Sequence, residues 1–313
     1  MMNAIQTDQL TRSFGTLKAV DRLTIEVPRG TVFGFLGPNG SGKTTTIRLL
    51  LGLLDPDQGS AQVLGFDAKK QAGEVRARCG ALLEHHGLYE RLSAADNLDY
   101  YGRIWHMPKV DREKRIRELL DPLELYERRG EPIGRWSRGM KQKLAVARTL
   151  MHRPELIFLD EPTAGLDPVA SAALREDLAL LVAREGVTIF LTTHNLVEAE
   201  KLCSKVGVIN HGQLLATGSP ADLRSRTSAP RLYVTGQGFS SQVVEDLRIN
   251  PLVKRVQPQN EKLVLDLHDL ARSHEIVTQL VKAGVHLDEV RKERVDLEDV
   301  FLQLIEEERP GEQ

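Results

Sequence analysis

No stretch of this sequence is apolar for long enough to cross a bilayer. The longest runs, such as Ile47 to Leu54, are short and broken by Arg48, whereas a spanning helix needs about 20 apolar residues. Cysteine is scarce: Cys79 and Cys203 are the only two in 313 residues. They lie far apart, fit no metal-binding spacing, and read as buried reduced thiols rather than a disulfide framework. An excess of charge is missing too, because 42 Lys and Arg face 44 Asp and Glu, a formal net charge of −2. No basic block offers a footprint for nucleic acid, and none is expected as a partner. The first ten residues lack the apolar centre of a signal peptide, so no secretory leader is expected. Internal repeats and low-complexity segments are also absent.

What is present is a core. Apolar residues make up 41% of the chain, which excludes a disordered protein, and the length accommodates two domains. The first part alternates strands and helices, the pattern of a mostly parallel α/β sheet. Thr31 to Leu36 is a short apolar run, followed by a glycine turn and a helical stretch from Thr44 to Leu54. Leu156 to Leu159 is a second buried run and Val187 to Leu191 a third. Between the first two, residues 93–150 form a helical insert with charged residues among Leu, Ile and Val. Arg224 to Pro230 lacks apolar periodicity and reads as a linker. We expect a first domain over residues 1–225 and a second over 226–313. In the second, strand and helix patterns run β-α-β-β-α-β from Arg231 to Val290, pointing to a ferredoxin-like module. Leu297 to Glu308 closes the chain as an amphipathic helix, with Val300, Phe301, Leu304 and Ile305 on one face.

Chemistry concentrates in a few short motifs. Gly37-Pro38-Asn39-Gly40-Ser41-Gly42-Lys43-Thr44 follows an apolar strand and opens a helix, which is the full phosphate-loop pattern in its proper context. Glycines let successive N–H groups turn toward one anion. The helix beginning near Gly42 adds the positive end of its dipole. Lys43 brings a mobile charge to the β- and γ-phosphates of ATP, and the Thr44 hydroxyl is placed for Mg²⁺. A metal-assisted phosphate site also needs carboxylates, and Asp160-Glu161 supplies them at the end of a buried strand. Asp160 can hold Mg²⁺ through water, while Glu161 leaves the strand in another direction and can polarise an attacking water. Further on, Trp136-Ser137-Arg138-Gly139-Met140-Lys141-Gln142 precedes a helix, with Ser137 as a natural N-cap. Read alone, that segment is an ordinary capped helix.

The order of these motifs resembles the ATP-binding cassette family. Phosphate loop, signature segment, Asp160-Glu161, Ala164-Gly165-Leu166-Asp167 and a strand-end His194 follow one another as they do there, across residues 1 to about 215. The resemblance implies an α/β P-loop NTPase fold: a mostly parallel core sheet, an N-terminal antiparallel β part and a helical subdomain. It implies an ATPase in which Glu161 and His194 are catalytic and Thr45 joins the ATP contacts. Ser137, Gly139 and Met140 would meet ATP bound to the opposite subunit, and Asp167 would lie in a loop crossing the dimer interface. Phe14 stands where the family places a ring that stacks on adenine. A core Phe is its other reading, as a satisfied strand-end histidine is the other reading of His194.

Two departures stand out. Arg138 and Met140 replace residues of the usual Leu-Ser-Gly-Gly-Gln signature. Glu84 replaces the Gln of a loop that senses Mg²⁺ and faces the membrane partner, and its carboxylate is a further candidate metal ligand. The adjacent His85 and His86 read as surface residues, since loop neighbours rarely make a metal site.

The implied protein works as a head-to-tail homodimer with two ATPs at its interface. It pairs with a separate polytopic permease on the cytoplasmic face of the membrane, docking through the segment from Leu88 to Tyr101. Val295-Asp296-Leu297-Glu298-Asp299-Val300-Phe301 resembles the closing motif of daunorubicin-resistance-type bacterial exporter ATPases, which makes export the expected direction. The alternatives are a non-transport cassette ATPase acting on nucleic acid or ribosomes, and a binding-only switch without turnover.

Overall fold

A computed structural model describes residues 3–227, 231–259, 262–268, 270–293 and 296–308. The chain divides into two compact units, Met1–Pro220 and Ala221–Gln313. In chain order the first holds β1 (Asn3–Phe14), β2 (Leu17–Leu23), β3 (Glu26–Pro28), β4 (Val32–Leu36), α1 (Lys43–Leu50), β5 (Gln58–Val63), β6 (Phe66–Asp67), α2 (Ala72–Arg78) and β7 (Cys79–Leu82). It continues with α3 (Ala94–Ile104), α4 (Lys109–Leu120), α5 (Arg138–Thr149), β8 (Leu156–Asp160), α6 (Pro168–Glu185), β9 (Thr188–Thr193), α7 (Leu196–Leu202), β10 (Lys205–Asn210) and β11 (Gln213–Gly218). Then follow α8 (Pro220–Thr227), β12 (Arg231–Gln237), α9 (Ser241–Arg248), β13 (Val253–Gln259), β14 (Lys262–Leu267), α10 (Ser273–Lys282), β15 (His286–Glu293) and α11 (Leu297–Glu308).

The core sheet runs β11-β10-β4-β9-β8-β7. Its pairs are parallel apart from the β10–β11 hairpin. Every residue of β4, β8 and β9 is buried, which explains why these strands read as unbroken apolar runs rather than alternating ones. Phe190 of β9 ties them together, with its ring 5.5 Å from Phe33, 5.5 Å from Phe35 and 5.6 Å from Phe158. Each such ring stabilises the fold by about 1.5–3 kcal/mol through burial, so the strand ends that carry the motifs are firmly held. An antiparallel sheet, β2-β1-β5-β6 with β3 on β1, forms the N-terminal β part. The helical insert comprises α3, α4, short 3₁₀ turns at Tyr126–Arg128 and Ile133–Arg135, and α5.

The second unit is a four-stranded sheet in the order β13-β14-β12-β15 with antiparallel pairs. That is the split β-α-β arrangement of a ferredoxin-like module. Leu232, Val234, Leu247, Leu265, Ile276 and Leu280 form its core. In α11, Leu297 and Val300 are buried, while Phe301, Leu304 and Ile305 are partly buried. Val295 lies outside the described residues.

Two expectations need correction. The segment read as a linker is helical through Thr227, and residues 228–230 lie outside the described residues. Pro220 fits the first turn of a helix, Asp222 favours its positive end, and Ala, Leu and Arg are good helix formers, so eight residues form a helix without an apolar stripe. The helix after the phosphate loop stops at Leu50, not Leu54, because Gly52 turns the chain at φ 61°.

Candidate active site

The phosphate loop leaves the buried end of β4 and enters α1 through two glycines of positive φ, Gly40 at 80° and Gly42 at 107°. Gly42 is needed twice over. Its φ is unfavourable for other residues, and a Cβ there would strike the backbone oxygen of Ala19. The Lys43 side chain is 7% exposed and curls back over the loop, donating to Gly37 O at 2.8 Å and Pro38 O at 3.1 Å. Its ammonium also lies 3.3 Å from Glu161 Oε1.

The carboxylates come from the end of β8, next to β9. Asp160 accepts from Thr44 Oγ1 at 2.6 Å through Oδ2 and from Thr192 Oγ1 through Oδ1. Glu161 then leaves the sheet with φ 51°, a left-handed conformation that is rare for a side-chain-bearing residue. Two bonds stabilise this turn: Glu161 N–H donates to Thr192 O and to Thr192 Oγ1, each at 3.1 Å. The turn aims the carboxylate across the strand ends. His194, just beyond β9, places Nδ1 2.8 Å from Glu161 Oε2, and its backbone N–H donates to the same oxygen at 3.4 Å. A carboxylate only accepts, so Nδ1 carries the proton of this bond, and Nε2 is left unengaged by Glu161. The His194 side chain is 56% exposed, so it is not a core histidine. Glu161 Oε1 is buried and faces the Lys43 ammonium as an ion pair, without a hydrogen bond.

Two cavities adjoin these groups. One of about 290 Å³ is lined by Phe14, Leu17, Ala19, Asn39, Gly40, Gly42, Lys43, Thr44, Thr45, Asp160 and Glu161. It runs from an apolar wall to the phosphate loop and the carboxylates. Phe14 is 47% exposed, which rules out the core reading of that ring. The other, about 260 Å³, brings Thr44, Asp160 and Glu161 together with Glu84, His86, Arg138, Gln142 and Ala164. Glu84 is exposed and lies 3.7 Å from Arg48 of α1. His85 is exposed and His86 half-buried.

Ser137, Gly139 and Met140 line neither cavity, although Arg138 and Gln142 of the same segment line the smaller one. Ser137 caps α5 by accepting from Met140 N–H at 3.2 Å. Asp167 caps α6, accepting from Val169 N–H at 3.0 Å and Ala170 N–H at 2.9 Å. A Cβ on Gly139 would come 3.1 Å from Ala170 Cβ, so the two helix starts are close neighbours. Arg138 donates to Ala164 O at 2.9 Å and covers Gly165, tying the signature to the turn after Glu161. Gln142 likewise donates to Pro162 O.

Sequence reasoning missed Thr192, which braces both Asp160 and Glu161. A hydroxyl at the end of an otherwise apolar strand beside β8 was the available signal. It also missed the anchoring role of Arg138, since a contact 26 residues along the chain leaves no local pattern.

Residues 20–164 match the family described as ABC transporter. The daunorubicin resistance ATP-binding protein DrrA3 of Streptomyces coeruleorubidus is 35% identical over 310 residues, covering 98% of this chain and 97% of that protein. The chain belongs to the ABC transporter family of ATP-binding subunits. The bacitracin transport ATP-binding protein BcrA of Bacillus licheniformis is 33% identical over 305 residues, covering 97% of this chain and 98% of its own length. The Nod factor export ATP-binding protein I of Ralstonia nicotianae is 34% identical, over 96% and 93%. Among solved structures, an ATP-binding subunit of an ABC transporter shares 29% identity and a TM-score of 0.63, covering 71% of this chain and 92% of that one. This ABC subunit is therefore an ATPase with the cassette fold, and no helix among its described residues is long and apolar enough to cross a membrane.

Proposed function

We propose that this ATPase powers an exporter whose spanning part is a separate polytopic subunit, and that it fires as a head-to-tail dimer of two copies. The observation that carries the chemistry is the convergence of Lys43, Glu161 and His194 at the ends of β4, β8 and β9. Glu161 Oε1, buried and without a hydrogen-bond partner, is the acceptor positioned for the proton of an attacking water. When phosphate enters the loop, Lys43 exchanges its carbonyl partners and Glu161 for the β- and γ-oxygens. His194, donating through Nδ1 to Glu161, holds that carboxylate in line and turns Nε2 toward the terminal phosphate. Phe14 stacks on adenine at the apolar end of the larger cavity, and Asn39 to Thr45 follow the phosphates.

Thr44 and Asp160 offer hydroxyl and carboxylate oxygens 2.6 Å apart, a donor set suited to a hard divalent cation. They would hold Mg²⁺, Asp160 through water, with Glu84 on the adjoining cavity wall as a further oxygen donor. Mg²⁺ supplies neutralisation of the charge that builds on the phosphates. Ser137, Gly139 and Met140 of one copy would complete the site of the other, and Asp167 would lie at their interface. Exposed Tyr89, Leu92, Tyr100 and Ile104 in and before α3 give the permease an apolar docking surface on the cytoplasmic side of the membrane. The second unit acts as an accessory domain that supports dimer formation.

Glu161→Gln with ATP and Mg²⁺ tests this reading. The expected result is loss of turnover by about a hundredfold or more, retained ATP binding, and a dimer that survives size-exclusion chromatography. Undiminished turnover would remove Glu161 from its role. Co-purification of the wild-type chain with a multi-span membrane protein is expected. ATPase stimulation by nucleic acid without membrane association would overturn the transport assignment.

A further inference from the structure

Phe14 does not stand alone at the mouth of the larger cavity. On a strand, residues two apart share a face, and Arg12 lies two positions before Phe14 near the end of β1. The guanidinium carbon of Arg12 sits 5.0 Å from the centre of the Phe14 ring. Phe14 lines the cavity and Arg12 does not. The guanidinium is fixed by partners far along the chain. Its Nη1 lies 2.9 Å from Asp57 Oδ1 and donates to Asp55 O at 3.1 Å. The other oxygen of Asp57 accepts from Ser13 N–H at 2.7 Å, and Asp57 N–H donates to Thr11 O at 2.9 Å. Arg12 Nε is buried without a hydrogen-bond partner.

We propose that Arg12, locked by Asp57, is a positioning residue for nucleotide binding that holds the Phe14 ring from behind so that its free face receives the base. This rests on the placement of adenine against Phe14 given above. An aromatic ring 47% exposed near a strand end has rotamer freedom to lose when a base stacks on it. A fixed cation on one face removes part of that freedom before the ligand arrives. Lys could supply charge at this position. It could not keep a delocalised plane over the ring while one nitrogen, the Nη1 that meets both Asp57 and Asp55, holds the anchor. The consequence is selective: Arg12 should matter for ligands that carry a base and be indifferent to phosphate alone.

The experiment measures affinities of the full chain for ATP and for inorganic tripolyphosphate, by displacement of a fluorescent ATP analogue, in wild type, Phe14→Ala, Arg12→Ala and the double variant. Thermal unfolding checks that each variant folds. Phe14→Ala should weaken ATP by about tenfold, as loss of a base–aromatic stack does. Arg12→Ala should weaken ATP by about two- to fivefold, the scale of an exposed cation–π contact, leaving tripolyphosphate affinity and kcat at wild-type values. In the double variant the Arg12 effect should vanish. Asp57→Ala, which frees the guanidinium, should act in the same direction as Arg12→Ala and less strongly.

If Phe14→Ala weakens ATP and Arg12→Ala does not, the stacking reading stands and the positioning role falls. If Arg12→Ala weakens tripolyphosphate as much as ATP, it acts through the loop at large and the proposal is overturned. If Phe14→Ala binds ATP as wild type does, the adenine placement fails and this inference fails with it.

Discussion

The strand-end half of the site and the signature half are finished to different degrees. At the ends of β4, β8 and β9 each functional side chain already has a partner in its own chain: Lys43 with Gly37 O and Glu161, Thr44 with Asp160, and His194 with Glu161. At the start of α5, Ser137 does no more than cap its own helix, and it is exposed. Among the described residues no phosphate-loop or carboxylate side chain bonds it, yet the α5 N-terminus has the positive dipole end and N–H groups that suit an anion. In the proposed dimer the first half binds nucleotide and the second completes the site of another copy. That difference is the physical case for a second copy.

The sharpest way to break the comparison is to disable one half in each of two variants. Lys43→Ala removes the cation from the strand-end half, and ATPase activity should fall by about a hundredfold or more, as loss of one electrostatic stabiliser does elsewhere. Gly139→Glu puts a carboxylate at the helix start and a side chain against Ala170, with a loss of similar size expected. The two inactive proteins mixed should regain about a quarter of wild-type activity. Half the random dimers are hybrids, and each hybrid has one intact composite site. Lack of any recovery in the ATPase assay would mean that each chain hydrolyses ATP alone.

A second, smaller effect concerns how the helical insert is joined to the sheet. His152 follows α5, stacks on Trp105 with ring centres 3.9 Å apart, and bonds Cys79 O at the start of β7 through Nε2 at 3.1 Å. Burial pushes its imidazole down to about 4, opposed by the bond to Cys79 and assisted by nearby Arg115 and Arg148. Nδ1 is buried without a partner, so protonation would create an unsatisfied donor. The unfolded chain takes up this proton near pH ~6.5, and the folded chain only near 4. Stability is therefore full above about pH 6.5 and falls as pH drops toward 4. The imidazole is partly exposed, so the loss should be about 1–2 kcal/mol, less than the full linkage value. His152→Gln should flatten this part of the curve of Tm against pH, and an unchanged slope would remove His152 as its source.

How much of this was legible beforehand follows from what each residue depends on. The phosphate loop, Asp160-Glu161 and the capped start of α5 were readable because local spacing dictates them. The fully buried strands were readable because parallel strands covered on both faces must be apolar throughout. Thr192, Arg138 and the Arg12–Asp57 pair were not, because their partners lie 32, 26 and 45 residues away. Only the folded register of β8 beside β9, that of β1 beside β5, and the placing of the α5 start at the turn after β8 make those neighbours. The segment at Pro220 misled for a different reason. It is helical by propensity and by its proline start, and neither leaves an apolar period to detect.

The smallest expected effect belongs to Glu84, the residue that joins the two halves. It shares a cavity with Thr44 at the start of α1, Asp160 at the end of β8 and Arg138 of the signature helix, and it pairs with Arg48 at 3.7 Å. Both members of that pair are well exposed, so the ion pair itself contributes less than about 1 kcal/mol, and Glu84→Gln should leave Tm nearly unchanged. Its charge still counts toward a divalent cation held at Thr44 and Asp160. Removing one of three nearby carboxylates should raise the Mg²⁺ concentration for half-maximal ATPase by less than about fivefold, with kcat at saturating Mg²⁺ close to wild type. A right shift in Mg²⁺ titration would place Glu84 in the metal's electrostatic field. An unshifted titration would remove Glu84 from that field.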